Sequence, residues 1–184
     1  MSKISPLAFI DPEAKIGENC EIGPFCFIDK NVEIGDNNVL MNSVSVLYGA
    51  RIGNGNVIFP GAVISAVPQD LKFRGEETTA EVGDNNKIRE NVTINRGTAA
   101  KGKTCVGSGN LLMESVHVAH DAFVGNDCII GNGTKLAGEI IIDDHAIISA
   151  NVLMHQFCRV GGYTMVGGGT RFSQDIPPYT ICAR

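Results

Sequence analysis

The 184 residues carry a formal charge of −5 and no long Lys/Arg run, which excludes the basic face that general nucleic-acid binding needs. No apolar stretch approaches membrane-spanning length, and the opening MSKISPLAFIDPEAKIG lacks the basic-then-apolar order of a secretory leader, so a cytoplasmic location with no membrane span is expected. With 22 Gly, no Trp and many Ile, Val and Asn, the composition favours short strands and frequent turns over helices.

The strand pattern begins at once. Every sixth residue from Ile4 through Ile10 and Ile16 to Ile64 is aliphatic. The series resumes in phase at Val82, Ile88 and Ile94, and again from Val106 to Phe172; only Asp70, Glu76 and Ala100 break it. Neither a helix nor a simple alternating strand has a period of six, and fixed-period repetition marks a solenoid. Each hexad is therefore read as one short strand and one turn. Three hexads close a triangular coil, and the 26 core hexads predict about nine coils of a parallel β-helix, stacked at about 4.8 Å. Gly often follows the aliphatic residue, as at Gly17, Gly35 and Gly53, where unusual backbone angles or close approach would favour it. Two positions before the aliphatic residue the side chain is usually small, and Cys20, Cys26, Cys128 and Cys158 fall there. Those four are read as buried free thiols in a reducing compartment rather than metal ligands.

Two polar interruptions, Ser65–Glu81 and Asn95–Cys105, are read as excursions projecting from the coil. If they add nothing to the winding, three hexads separate stacked positions, so Ile64, Ile94 and Val118 form one column that continues through Leu136 and Met154. The first excursion leaves just after Ile64 and the second just after Ile94. His120, Gly138, Glu139, His155 and Gln156 follow the same column higher up. One corner of the prism thus collects most of the unusual polar residues.

His117 and His120 flank Val118, and Asp121 follows. A histidine acting as a base needs a partner that fixes its tautomer, and Asp121 is available. The same residues also read as exposed turn histidines. His155 could join His117 and His120 in a three-His zinc site. It lies two coils above His120, roughly 10 Å at strand spacing, which favours separate roles along a groove. Asp70 and Lys72 leave from the same corner, where contact with a phosphate or hydroxyl is expected. His145 lies off this corner and reads as a surface turn residue.

The strings IGPFCFI, PQDLKFRGE, IRENVTINRGT, VGSGNLLMESVHVAHDAFVGN, LAGE, MHQFC and MVGGGTRFSQDIPPY cover essentially the whole chain. Together they resemble the acyl-carrier-protein:UDP-N-acetylglucosamine O-acyltransferases of lipid A biosynthesis. The resemblance implies an all-β, left-handed parallel β-helix with two projecting loops, assembled as a homotrimer of parallel prisms with active sites between subunits. It implies transfer of a 3-hydroxyacyl chain from acyl carrier protein to the glucosamine 3-hydroxyl of UDP-N-acetylglucosamine, with no cofactor and no metal. His120 is implied as general base, Asp121 as its orienting partner and the Gly138 N–H as oxyanion donor. Asp70, Lys72, His117, His155 and Gln156 are implied as contacts to the nucleotide sugar and acyl chain. Family members often carry His where this chain has Asn95 and Glu139, so these two join the substrate-binding set as a hydrogen-bonding amide and an acceptor.

Gly168 matches the position that limits acyl-chain length in the family; it also reads as a turn glycine requiring positive φ. The resemblance further implies a helical C-terminal domain beyond DIPPY, expected to be absent here, so that residues 1–184 are read as the β-helix domain alone. Rival readings are the N-acyltransferase paralogue of the same pathway, a zinc carbonic anhydrase on the same fold and a non-catalytic solenoid.

Overall fold

In the computed structural model, which describes residues 1–183, nearly every hexad contributes a two-residue strand whose second member is the core aliphatic residue. The strands sort by turns into three parallel sheets of 10, 9 and 8 strands, the faces of a triangular prism. The first sheet runs from Lys3–Ile4 to Ile181–Cys182, the second from Phe9–Ile10 to Arg171–Phe172 and the third from Lys15–Ile16 to Arg159–Val160. This is a left-handed parallel β-helix. The predicted column forms: Ile64 registers on Ile94, Ile94 on Val118, Val118 on Leu136, Leu136 on Met154 and Met154 on Phe172. Ile64, Ile94, Val118 and Leu136 are fully buried.

The turns separate two glycine requirements that the sequence leaves merged. The third residue after the aliphatic one adopts the left-handed conformation on turn after turn, as at Asn37 (φ 58°), Asn85 (φ 56°) and Asp127 (φ 53°). Asn and Asp tolerate this region better than other side chains. The glycine immediately after the aliphatic residue does not share it. A Cβ on Gly17 would stand 2.6 Å from the backbone of Gly35 in the next coil, so this position is small because coils approach closely there.

The small slot also holds a feature missed in the sequence. Asn38, Asn56, Asn86 and Asn110 stack up the prism, all essentially buried. The Asn86 amide donates to Asn56 Oδ1 (3.0 Å) and to the Gly107 carbonyl (2.9 Å), and its own oxygen accepts the Asn110 N–H (2.8 Å). Cys20, Cys26, Cys128 and Cys158 occupy slots of the same kind and are free and buried, as expected; the Cys20 and Cys128 thiols each lie 3.2 Å from a carbonyl oxygen one coil along.

Two expectations need correction. The excursions are shorter than predicted, spanning only 67–78 and 96–102, because strands Val63–Ala66, Thr79–Val82, Thr93–Asn95 and Lys103–Val106 extend into them. Ser65 and Asn95 are buried, and Cys105 belongs to a strand paired with Glu81 and Phe123. The repeat also continues past Phe172 after a slip in phase: Ile176 bridges Val160 and enters the core, and Cys182 registers on Val166. Arg184 lies outside the described residues.

The ladder gives a stability test. Asn86→Ala leaves the buried Asn110 N–H and the Gly107 carbonyl without partners, at about 1–3 kcal/mol for each unsatisfied group. Asn126, whose Oδ1 accepts the Ser108 N–H in an exposed ladder, can be replaced by water. Urea unfolding is expected to show Asn86→Ala destabilised by about 3 kcal/mol and Asn126→Ala by under about 1 kcal/mol. Equal losses would remove the buried ladder as a source of stability.

Candidate active site

The corner joining the second sheet to the third carries the site. After Val118 the chain turns through Ala119, His120 and Asp121, with Asp121 at the left-handed position (φ 59°). The side chain of Asp121 is fully buried, and its Oδ2 lies 2.8 Å from His120 Nδ1. A carboxylate facing Nδ1 keeps the proton there, so Nε2 is the ring atom with a free lone pair. That nitrogen stands 4.0 Å from Asp70 Oδ2, at the tip of the first excursion.

One coil further on, Gly138 lies against the imidazole. A Cβ at Gly138 would approach His120 Cε1 and Nε2 to 2.7 Å, so any larger residue would displace the ring. The Gly138 N–H has no acceptor among the described residues and borders a cavity of about 280 Å³ lined also by Gln69, Asn95, His117, His120 and Lys135. A base with a fixed tautomer beside a free N–H is suited to deprotonating a hydroxyl and receiving the oxyanion that forms when it attacks a carbonyl.

His117 points outward from its strand, and its Nδ1 lies 2.7 Å from Thr93 Oγ1. Burial pushes its pKa below the ordinary histidine value, reinforced by the charges of Lys135 and His120. It therefore faces the cavity as a neutral hydrogen-bonding group. Asn95 donates to the Val67 carbonyl (2.9 Å), pinning the first excursion, while its buried Oδ1 has no partner. Asp70 opens a turn in which its Oδ1 accepts the Lys72 N–H (2.9 Å); the Lys72 side chain is exposed.

The remaining expected residues lie apart. Glu139 follows Gly138, but its carboxylate faces Lys101 Nζ at 4.0 Å rather than the cavity. His155 and Gln156 stand at the same corner one coil beyond Gly138 and two beyond His120, both exposed, and His155 lines a depression of about 360 Å³ with Arg171 and Phe172. His117, His120 and His155 do not converge, and no three His, Cys, Asp or Glu side chains among the described residues are placed to share a metal ion. Gly168 lies at a different corner, between the first and second sheets, after strand Met165–Val166. Its backbone is not left-handed; that conformation belongs to Gly169 (φ 71°), so the positive-φ explanation for Gly168 is overturned. His145 lies on a third corner, stacked on Tyr163 with ring centroids 4.6 Å apart.

Two groups escaped the sequence reading. The Arg96 guanidinium lies over the rings of Tyr48 (5.5 Å) and Phe73 (5.3 Å), fastening the first excursion to the coil. Thr98, Lys101 and Thr104 surround Asp121. The only signal available was that an acidic side chain at a coil corner must find donors if buried, and the second excursion leaves one coil below.

No protein-family model matches the chain. An acyl-[acyl-carrier-protein]–UDP-N-acetylglucosamine O-acyltransferase from Aliarcobacter butzleri is 45% identical over 182 residues, 98% of this chain and 70% of that protein. The crystal structure of a UDP-N-acetylglucosamine acyltransferase from Bacteroides fragilis is 75% identical with a TM-score of 0.95, over 97% of this chain and 70% of that one. The corresponding enzyme of Francisella novicida superposes with a TM-score of 0.96 at 43% identity, over 98% of this chain and 66% of that one. With near-complete coverage at such identities, the chain belongs to the acyl-[acyl-carrier-protein]–UDP-N-acetylglucosamine O-acyltransferase family.

Proposed function

We propose that this protein transfers a 3-hydroxyacyl chain from acyl carrier protein to the 3-hydroxyl of UDP-N-acetylglucosamine, the first step of lipid A biosynthesis. The observation that carries the reading is the His120–Asp121 pair with Nε2 free beside the Gly138 N–H, in a chain of this family. His120 Nε2 takes the proton of the sugar hydroxyl as its oxygen attacks the thioester carbonyl. The Gly138 N–H receives the negative charge of the tetrahedral intermediate. Collapse breaks the C–S bond, and the imidazolium returns its proton to the departing carrier thiolate. A thioester is already activated, so a base and an oxyanion donor suffice without metal or cofactor. Asp70, Lys72, Asn95, His117, His155 and Gln156 are the proposed substrate contacts, with Glu139 entering alongside Lys101. The comparisons favour neither the N-acyltransferase nor the carbonic anhydrase reading.

A homotrimer is supported by the outer face of the first sheet. Leu111, Ile129, Ile147, Met165 and Ile181 form a row on successive coils, and the last four expose 37%, 41%, 45% and 78% of their surface. Outward ion pairs recur along the third sheet, as at Lys15–Glu33 and Lys103–Glu81, whereas on the first sheet Lys3–Glu21 lies at its first two strands, away from this row. An apolar row this long needs a partner surface, and we assign it to two further copies of this chain. Gly168 sits at the edge of that face, where a second subunit would bring it towards an acyl groove. The assignment to the cytoplasm rests on the free thiols; among the described residues no helix is long and apolar enough to cross a membrane.

Three outcomes test the reading. His120→Ala is expected to lower acyl transfer by at least about 100-fold with an unchanged circular dichroism spectrum; near-normal turnover would remove the base. Ile147→Lys combined with Met165→Glu is expected to convert a trimer to monomers by light scattering; a monomeric wild type would refute the assembly. Gly168→Met adds a side chain in an exposed turn where a Cβ would press on Ala150 O (3.3 Å) and rest against Ser149 Cβ (3.8 Å), so only a small loss of stability is expected. Its donor preference should shift to shorter chains, each lost methylene contact being worth about 0.8 kcal/mol. Uniform loss across donor lengths would sink the ruler.

A further inference from the structure

The second excursion is wrapped around a single carboxylate. Asp121 Oδ1 accepts the backbone N–H groups of Thr98 (3.0 Å) and Lys101 (3.2 Å), while Oδ2 accepts Thr98 Oγ1–H (2.6 Å) as well as His120 Nδ1–H (2.8 Å). The Asp121 N–H in turn donates to Thr104 Oγ1 (2.8 Å). Four donors on two oxygens account for the acceptor capacity of an ionised carboxylate and leave it no other rotamer. The comparable turn residue Asp127 is exposed, so the sealing of Asp121 is specific to this coil.

The direction of the Thr98 hydroxyl is set as well. Its oxygen accepts the Ala100 N–H (3.2 Å), which leaves its proton to point at Asp121 Oδ2. The Gly102 N–H donates to the Thr98 carbonyl (2.7 Å), closing the loop on itself. Thr98 and His120 therefore share one carboxylate oxygen from two sides. A shift of that oxygen would rotate the imidazole and swing Nε2 away from the cavity and from Gly138.

We propose that Thr98 is a positioning residue for catalysis: through Asp121 Oδ2 it fixes the ring of His120, and the excursion 96–102 exists to hold that contact. The inference rests on His120 being the base. Thr98 lies behind the carboxylate and does not line the cavity, so its loss should affect the chemical step and leave substrate binding intact.

The test compares Thr98→Val, Thr98→Ala and Thr98→Ser with wild type and His120→Ala, using kcat, KM and the proton spectrum of the substrate-free protein. The His120 Nδ1–H gives a downfield resonance, assigned by its absence in His120→Ala. Thr98→Val and Thr98→Ala should each lower kcat about 10-fold with KM within about twofold, and should shift or broaden that resonance. Thr98→Ser keeps the hydroxyl and should restore both kcat and the resonance. Wild-type kcat in Thr98→Val or Thr98→Ala would overturn the proposal, as would a folded Thr98→Ser that fails to recover. Turnover surviving in His120→Ala would instead overturn the base assignment, while the resonance would still report whether Thr98 holds the ring.

Discussion

The distance between stacked coils governs this molecule. Parallel strands pair at about 4.8 Å, so every side chain meets its counterpart from the coil above and below at that spacing. An aliphatic residue gains a neighbour on both sides at no cost in polar satisfaction. A buried polar residue survives only if it can bond along the axis, and the Asn38–Asn110 ladder does so by giving each amide a partner in the next coil. The same constraint excludes side chains where backbone crosses backbone, which explains glycine at Gly17 and Gly35 without any appeal to φ.

The excursions turn a repeating scaffold into a single site. A hexad turn is the same at every corner, so a polar residue on it would be one of many. At the corner after Val118, two interruptions change its surroundings. The excursion 67–78 brings Asp70 towards His120 Nε2 and is held down by Asn95 and by Arg96 between two rings. The excursion 96–102 seals Asp121 from below. Both leave the same column in consecutive coils, so they pack against each other and act on the same histidine.

The sequence made the repeating part legible because periodicity is a statement about equivalent positions. Ile64, Ile94 and Val118 could be stacked before any coordinates, and with them His120 and Gly138 fell at one corner. What it hid was non-periodic. The true ends of the excursions depend on strands that lengthen only because a neighbour is there to pair with, as Thr79–Val82 does with Lys103–Val106. The slip between Phe172 and Ile176 breaks the count of six while keeping the core filled. Thr98 and Arg96 carry no motif; their importance comes from a buried carboxylate and two aromatic rings distant in sequence. The apolar row Ile129, Ile147, Met165 sits one residue before the core series and was readable, but an outward strand residue acquires meaning only beside the other rungs of its row.

A proposed base and oxyanion donor placed on successive coils inherit the precision of the sheet. His120 and Gly138 are 18 residues apart and belong to adjacent turns, and the hydrogen bond from Glu139 N to His120 O (3.0 Å) ties the two turns directly. The separation of His120 and the Gly138 N–H is therefore fixed by strand pairing on either side, from Val118 on Leu136 to Val124 on Ile142, and not by loop conformation. Loops need only supply orientation, through Asp121 and its donors. That division explains why so much of what shapes the site is invisible at the residues that line the cavity. The distance is set by the repeat, which any hexad would give, and the angle is set by an excursion whose residues never reach the cavity.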